Sequence, residues 1–144
     1  MAYWLLKSEP YKFSWDDQCK KGEGRWEKRV RNFQARNNIQ AMKPGDKGFF
    51  YHSNEGKKIV GIIDITSEAY VDPDPEKNEK GNFYTIDVKP SEALKNPVTL
   101  ADLKAHPVLS EMKVVKQVRL SVSPVTEEEW DIVTSMGGTE KIAA

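Results

Sequence analysis

Two histidines, one cysteine and scattered carboxylates are the residues of this chain that could support covalent or acid–base chemistry. His52 and His106 lie far apart, and neither an H-E-x-x-H pattern nor a cysteine pair accompanies them, so a metal centre has no ligand set to build on. His106 precedes Pro107 and reads as a surface residue near a helix end. His52 adjoins Ser53, but neighbours on a regular strand point to opposite faces, so a nucleophile–base dyad there would need a bulge. Cys19 stands beside Lys20 and Lys21, which would lower a thiol pKa, but a half-buried thiol in a short amphipathic helix is the much stronger reading. Neither a Walker loop nor a G-x-G-x-x-G turn occurs, so nucleotide hydrolysis and dinucleotide chemistry lack their phosphate cradle. Asp16-Asp17 and Glu127–Glu129 suit helix starts, where negative charge favours the dipole, while Asp72 and Asp74 sit among prolines. No catalytic centre, metal or cofactor is expected.

Non-covalent recognition is better supported. Lys7-Ser8, Arg31-Asn32, Tyr51-His52-Ser53 and Arg119-Leu120-Ser121 all fall where strands or helices begin or end. Such positions let short polar side chains converge on one cleft. A site for an extruded base needs an aromatic or apolar clamp, amides and hydroxyls matched to the base edge, and cations for the flanking phosphates. Trp4, Trp15 and Trp130 read as core, whereas Trp26 lies in a polar stretch and is a candidate wall. The net charge is zero, with 22 basic and 22 acidic residues, but the distribution is uneven. Nine basic residues against three acidic ones between Cys19 and Lys47 give a local balance of +6, and Asp64–Glu92 carries −5. A basic stretch of this kind guides a polyanion to one face while the acidic segment stays away from it. The plainer reading of each charge is a solvated surface.

These residues must be positioned by a small set of elements. Tyr3–Lys7 reads as a buried strand, followed by a Ser14-capped helix to Lys21 and an Asn32-capped helix to about Met42. Lys47–Ser53 and Lys58–Ser67 form a hairpin, Val71–Lys80 an exposed loop, and Asn82–Lys89 a further strand. Thr99–Ala105 is a capped helix, Val114–Ser123 the last strand, and Thr126-Glu127-Glu128-Glu129 a capping box opening the final helix. Gly137-Gly138 ends that helix and Thr139–Ala144 reads as a mobile tail. The 144 residues then make one α+β domain over residues 1–138, with at least five strands in a mixed, curled sheet or small open barrel. No apolar run approaches a membrane span, the N-terminus lacks the order of a signal peptide, and a single cysteine suits a reducing compartment. A cytoplasmic monomer without membrane attachment is expected.

Several blocks are familiar. Tyr3-Trp4-Leu5-Leu6-Lys7-Ser8-Glu9-Pro10, Trp26, and Val30-Arg31-Asn32-Phe33-Gln34-Ala35-Arg36-Asn37 resemble the opening of the EVE domain. Phe50-Tyr51-His52-Ser53-Asn54, Gly61, Glu68–Pro73, Thr99-Leu100, Arg119–Val122 and Glu129-Trp130 continue the resemblance over roughly residues 2–137. It implies a PUA-like curled β pseudo-barrel of five to six strands with flanking short helices, akin to YTH and ASCH domains. It also implies a nucleic-acid partner, DNA or RNA, carrying a modified base, with modified cytosine in DNA foremost. Lys7-Ser8 resembles the Lys-Ser pair of YTH domains, but Arg31-Asn32 stands where those domains place a cage tryptophan and a serine. On this resemblance Asn32 reads a base edge, Arg31, Arg36 and Arg119 anchor phosphates, and Tyr70 supplies an aromatic wall. The cleft would be bounded by Lys7, Ser8, Trp26, Asn32, Tyr51, Ser53 and Tyr70. The alternatives are a nucleic-acid-processing or nucleotide-modifying enzyme using His52 as acid or base, and a protein-interaction module.

Overall fold

Side-chain caps set most helix starts. In the computed structural model, which describes residues 1–26, 32–73 and 83–142, Ser14, Thr99 and Thr126 each accept a backbone N–H three residues on, and the acid at that position returns the bond. Asn32 caps its helix with a single bond. The order is β1 (Tyr3–Ser8), α1 (Trp15–Lys21), β2 (Gly24–Arg25), α2 (Phe33–Ala41), β3 (Lys47–His52), β4 (Lys58–Ile65), β5 (Tyr70–Val71), β6 (Tyr84–Thr85) and β7 (Asp87–Thr99). It continues through α3 (Leu100–Ala105), a 3-10 turn at Leu109–Glu111, α4 (Lys113–Lys116), β8 (Val122–Val125), α5 (Glu127–Gly137) and β9 (Thr139–Lys141).

Among the described residues the main sheet runs β2-β7-β4-β3-β1-β8, with β9 also on β7 and β5-β6 as a separate ribbon. β1 and β3 are parallel; the other pairs of the main sheet are antiparallel. Register shifts at Phe50/Tyr51, Ile59/Gly61 and Ile62/Ile63 bend the central strands and give the sheet its curl. Alternation divides the buried side chains between two faces. Leu5, Phe49, Ile59 and Ile62 pack with Trp130 and Val133 of α5, and Phe49 and Tyr3 both stack on Trp130, at 3.9 and 4.4 Å between ring centroids. Leu6, Phe50, Val60 and Ile63 pack with Trp15 of α1 and with Ala35 and Ile39 of α2. Asp46 ties the strand starts: its carboxylate accepts from Ala2 N, Lys43 N and Trp4 Nε1. Burial alone would raise its pKa, but these bonds and the amino terminus hold it below the usual carboxylate range.

The chain departs from the sequence reading in four places. Lys113–Lys116 is helical, and the strand expected over Val114–Ser123 is displaced to Val122–Val125, because pairing with β1 begins only at Leu6↔Val122. β-Branched composition is a weak guide where no neighbouring strand is in reach. β7 runs beyond Lys89 to Thr99 through Pro90 and Pro97, both at or within the register shifts where a ladder donor is not required. Thr139–Lys141, read as tail, pairs with Glu92–Leu94 of β7. Tyr70–Val71, at the head of the expected loop, pairs with Tyr84–Thr85; residues 74–80 of that loop lie outside the described residues. Among the described residues no helix is long and apolar enough to cross a membrane.

Candidate nucleic-acid interface

Parallel pairing brings the C-terminal ends of β1 and β3 side by side, with Lys7 opposite Tyr51 and Ser8 opposite His52. Ser53 N–H donates to Ser8 O at 2.9 Å and extends the ladder by one bond. Lys7, Ser8, Tyr51, His52 and Ser53 thus share one end of the sheet, but strand alternation puts them on both of its sides. Lys7 and Tyr51 lie together, with Lys7 Nζ 5.9 Å from the ring centroid and donating to Val118 O at 2.8 Å. Burial lowers the Lys7 pKa and raises that of the Tyr51 phenol. Ser8 is fully buried on the other side, where its hydroxyl donates to Phe13 O and closes the turn after β1.

His52 has a structural occupation. Its Nε2 accepts the Trp15 N–H at 3.0 Å, the first donor of α1, which has no partner within the helix. Burial, then the nearby Lys58 cation, lowers the imidazole pKa, with Asp16 opposing them. The ring is therefore neutral with its Nε2 lone pair engaged. Trp15 and Trp26 each meet Phe50 edge-on, at 5.4 and 5.5 Å between centroids. Trp26 is only 2% exposed, so it backs the core and is not an open wall. Its N–H donates to Ile86 O and its carbonyl accepts from Thr85 Oγ1.

The Lys7 side has a polar rim. Lys7 N–H donates to Ser121 O, and Leu120 N–H to Gln117 O, so the 117–121 loop is fixed beside β1. α2 joins it through Gln34 Nε2 to Gln117 Oε1 at 3.0 Å and Asn38 Nδ2 to Val122 O at 2.8 Å. Arg119 is exposed on that loop. Arg36 lies 4.7 Å over the Phe33 ring on α2. Asn32 is exposed, but its side-chain oxygen already accepts Ala35 N–H as the α2 cap. Arg31 lies outside the described residues.

Tyr70 is at the other end of the sheet. Its hydroxyl donates to Asp87, beside the last residue of β4, whereas Lys58 at the start of β4 faces His52. Those ends are about 20 Å apart along the strand. Burial first, then the Asp87 bond, pushes the Tyr70 phenol up to about 12. The charge segregation read from the sequence is also partly cancelled. Arg25 reaches Asp72 at 3.3 Å, Lys47 Asp64 at 2.8 Å, and Lys43 Glu68 at 3.7 Å, each pairing the basic stretch with the acidic one. Lys28 and Arg29 lie outside the described residues.

Residues beyond the predicted set crowd the same strand ends. Tyr11, 62% exposed, donates to the Glu9 carboxylate, which also accepts Asn54 Nδ2 at 3.1 Å. The Glu9 bond raises the Tyr11 phenol. An aromatic residue directly after Pro10, and an Asn-Glu-Gly turn closing the hairpin, are the signals that pointed there. Among the described residues no cluster of three or more histidine, cysteine or acidic side chains could hold a metal ion.

The EVE domain family model matches residues 2–136. A Rhodopseudomonas palustris protein solved by NMR is 51% identical, with a TM-score of 0.87 over 96% of this chain and 94% of that one. Mouse thymocyte nuclear protein 1 is 37% identical over 171 residues, covering 96% of this chain and 74% of the relative. The human THYN1 protein, crystallised in complex with 5-methylcytosine-containing DNA, is 33% identical with a TM-score of 0.85 over 97% of this chain and 99% of that one. ASCH from Zymomonas mobilis, at 12% identity and a TM-score of 0.58, shares the fold alone. The fold is α+β, with the curled, mixed half-barrel of the PUA-like class.

Proposed function

The chain belongs to the EVE domain family, and from that premise we propose that it is a non-catalytic reader of a modified cytosine in DNA, with the base held at the ends of β1 and β3. The observation that carries this reading is the likeness, over 97% of the chain, to a human protein crystallised with 5-methylcytosine-containing DNA. The geometry supports it. Lys7 and Ser53 offer an ammonium and a hydroxyl at one strand end, with exposed Asn32 on the neighbouring helix start, while buried Tyr51 and Ser8 support that end from within. Arg119 and Arg36, with Arg31 from the sequence pattern, anchor the flanking phosphates. Trp26 stiffens the site from within the core. His52 serves α1 and moves no proton, because its Nε2 already accepts a backbone donor. A cytoplasmic monomer completes the reading. Its lone Cys19, half-buried with a thiol pushed up by burial, suits a reducing compartment.

The test is fluorescence anisotropy against single- and double-stranded DNA and RNA carrying plain, 5-methyl, 5-hydroxymethyl or N6-methyl bases, at two salt concentrations. A modified cytosine in DNA is expected to bind about tenfold or more tighter than its plain counterpart, as one well-made base contact supplies. Arg119→Ala should weaken all oligomers alike and reduce the salt slope by about one. Equal, weak, salt-sensitive binding to every oligomer would overturn the reader. A preference confined to RNA would overturn the assignment to DNA.

A further inference from the structure

Phe33 and Val118 are each left 68% exposed on elements that are otherwise firmly held. Phe33 is the first residue of α2, directly after the Asn32 cap. Val118 tops the 117–121 loop, and its carbonyl takes the Lys7 ammonium. The Gln34–Gln117 hydrogen bond joins the two elements one residue away from each apolar side chain. Each also has an arginine beside it: Arg36 over the Phe33 ring at 4.7 Å, and exposed Arg119 next in sequence to Val118. A single exposed hydrophobic residue needs no explanation. Two of them, rigidly presented, flanked by cations and set on the rim of the strand-end site, form a repeated arrangement.

We propose that Phe33 and Val118 form an apolar edge that enters a DNA duplex beside the extruded base, with Phe33 stacking in the gap the base leaves. This rests on the modified-base reading above. Taking a base out of a duplex leaves its neighbours unstacked, and proteins that deform DNA fill such gaps with apolar wedges. Arg36 and Arg119 neutralise the phosphates on either side of the wedge. α2 and the loop are already ordered by their mutual bonds, so presenting the two side chains costs little further entropy. A duplex uses both kinds of group at once, its phosphates taking the two cations while the unstacked gap takes the apolar side chains.

The experiment compares a duplex holding one 5-methylcytosine with the single strand of the same sequence. Phe33→Ala is expected to weaken duplex binding by about tenfold while changing single-strand binding by less than about twofold. Phe33→Trp retains duplex affinity, and Val118→Ala shows a smaller loss of the same kind. Phe33 is exposed at a helix start, so these variants keep the fold, which far-UV circular dichroism checks. Equal losses on both substrates would overturn the wedge in favour of stacking on an unpaired base. Unchanged affinity in Phe33→Ala would overturn it too, and sedimentation equilibrium would then show whether the patch joins two copies of the chain. Wild-type protein that prefers the methylated single strand but ignores the duplex overturns the wedge and leaves the reader standing. No preference for the modified base in either form overturns the reader, and the wedge falls with it.

Discussion

Gly61 lies in β4 directly beneath the indole of Trp15, and Gly61→Ala puts a carbon where that ring sits. An added Cβ would be 2.4 Å from Trp15 Cζ2 and 2.5 Å from Cε2 and Cη2. Carbon atoms pack best at about 3.5–4.0 Å, so the ring must retreat by about 1 Å. It has little freedom to do so. Phe50 meets it edge-on at 5.4 Å, and the Trp15 backbone is tied to His52 through its N–H. Overpacking of this kind costs about 1–3 kcal/mol, and losing the His52 bond adds about 1 kcal/mol. The expected total is about 2–4 kcal/mol, or a Tm lower by roughly 5–15 °C for a domain of this size. Thermal unfolding followed by circular dichroism measures it. Adding Trp15→Leu should cost less in the Gly61→Ala background than in the wild type, because there it also removes the clash. A Gly61→Ala protein melting within about 1 °C of wild type would refute the placement of the indole on β4.

Two further predictions concern residues that hold the site in shape. The His52 imidazole has its folded pKa below the ordinary 6.5, because burial and Lys58 disfavour its charge. Its contribution to stability is therefore complete above the ordinary value and is lost as pH falls below it through the lowered one. Urea midpoints at pH 8 and pH 5 should show that loss in wild type and a flatter dependence in His52→Gln, whose amide oxygen can still accept Trp15 N–H; identical slopes would refute it. Asn32→Ala removes the α2 cap and should cost about 1 kcal/mol, whereas Asn32→Asp keeps it. If Asn32 also reads the base, both variants lose the preference for modified DNA; retention by both would remove it from the site.

Local chemistry was legible from the residues alone. Ser14, Asn32, Thr99 and Thr126 cap the helices expected of them, since a cap needs only a side chain and a backbone N–H three residues on. The β3–β4 hairpin and the strand at Tyr3 are equally local. Lys7-Ser8 and Tyr51-His52-Ser53 could be recognised as element ends, and the motif blocks identified the family that the comparisons bear out. The strand expected at Val114 was misplaced because a strand exists only where a partner's register allows it, and β1 pairs from Val122 onward.

What the sequence determined by itself is therefore the inventory: capped helices, the apolar alternation, the family and the polar residues at element ends. Tertiary structure decided which of those residues meet. Parallel pairing of β1 with β3 joined segments more than forty residues apart and put Lys7 beside Tyr51 and Ser8 beside His52. The same sheet sent Tyr70 to its far end, turned Trp26 into the core, and gave His52 to α1. The physical reason is that strand pairing is specified by long-range register. A side chain's face, neighbours and free lone pairs follow from that register and from no feature of the local chain.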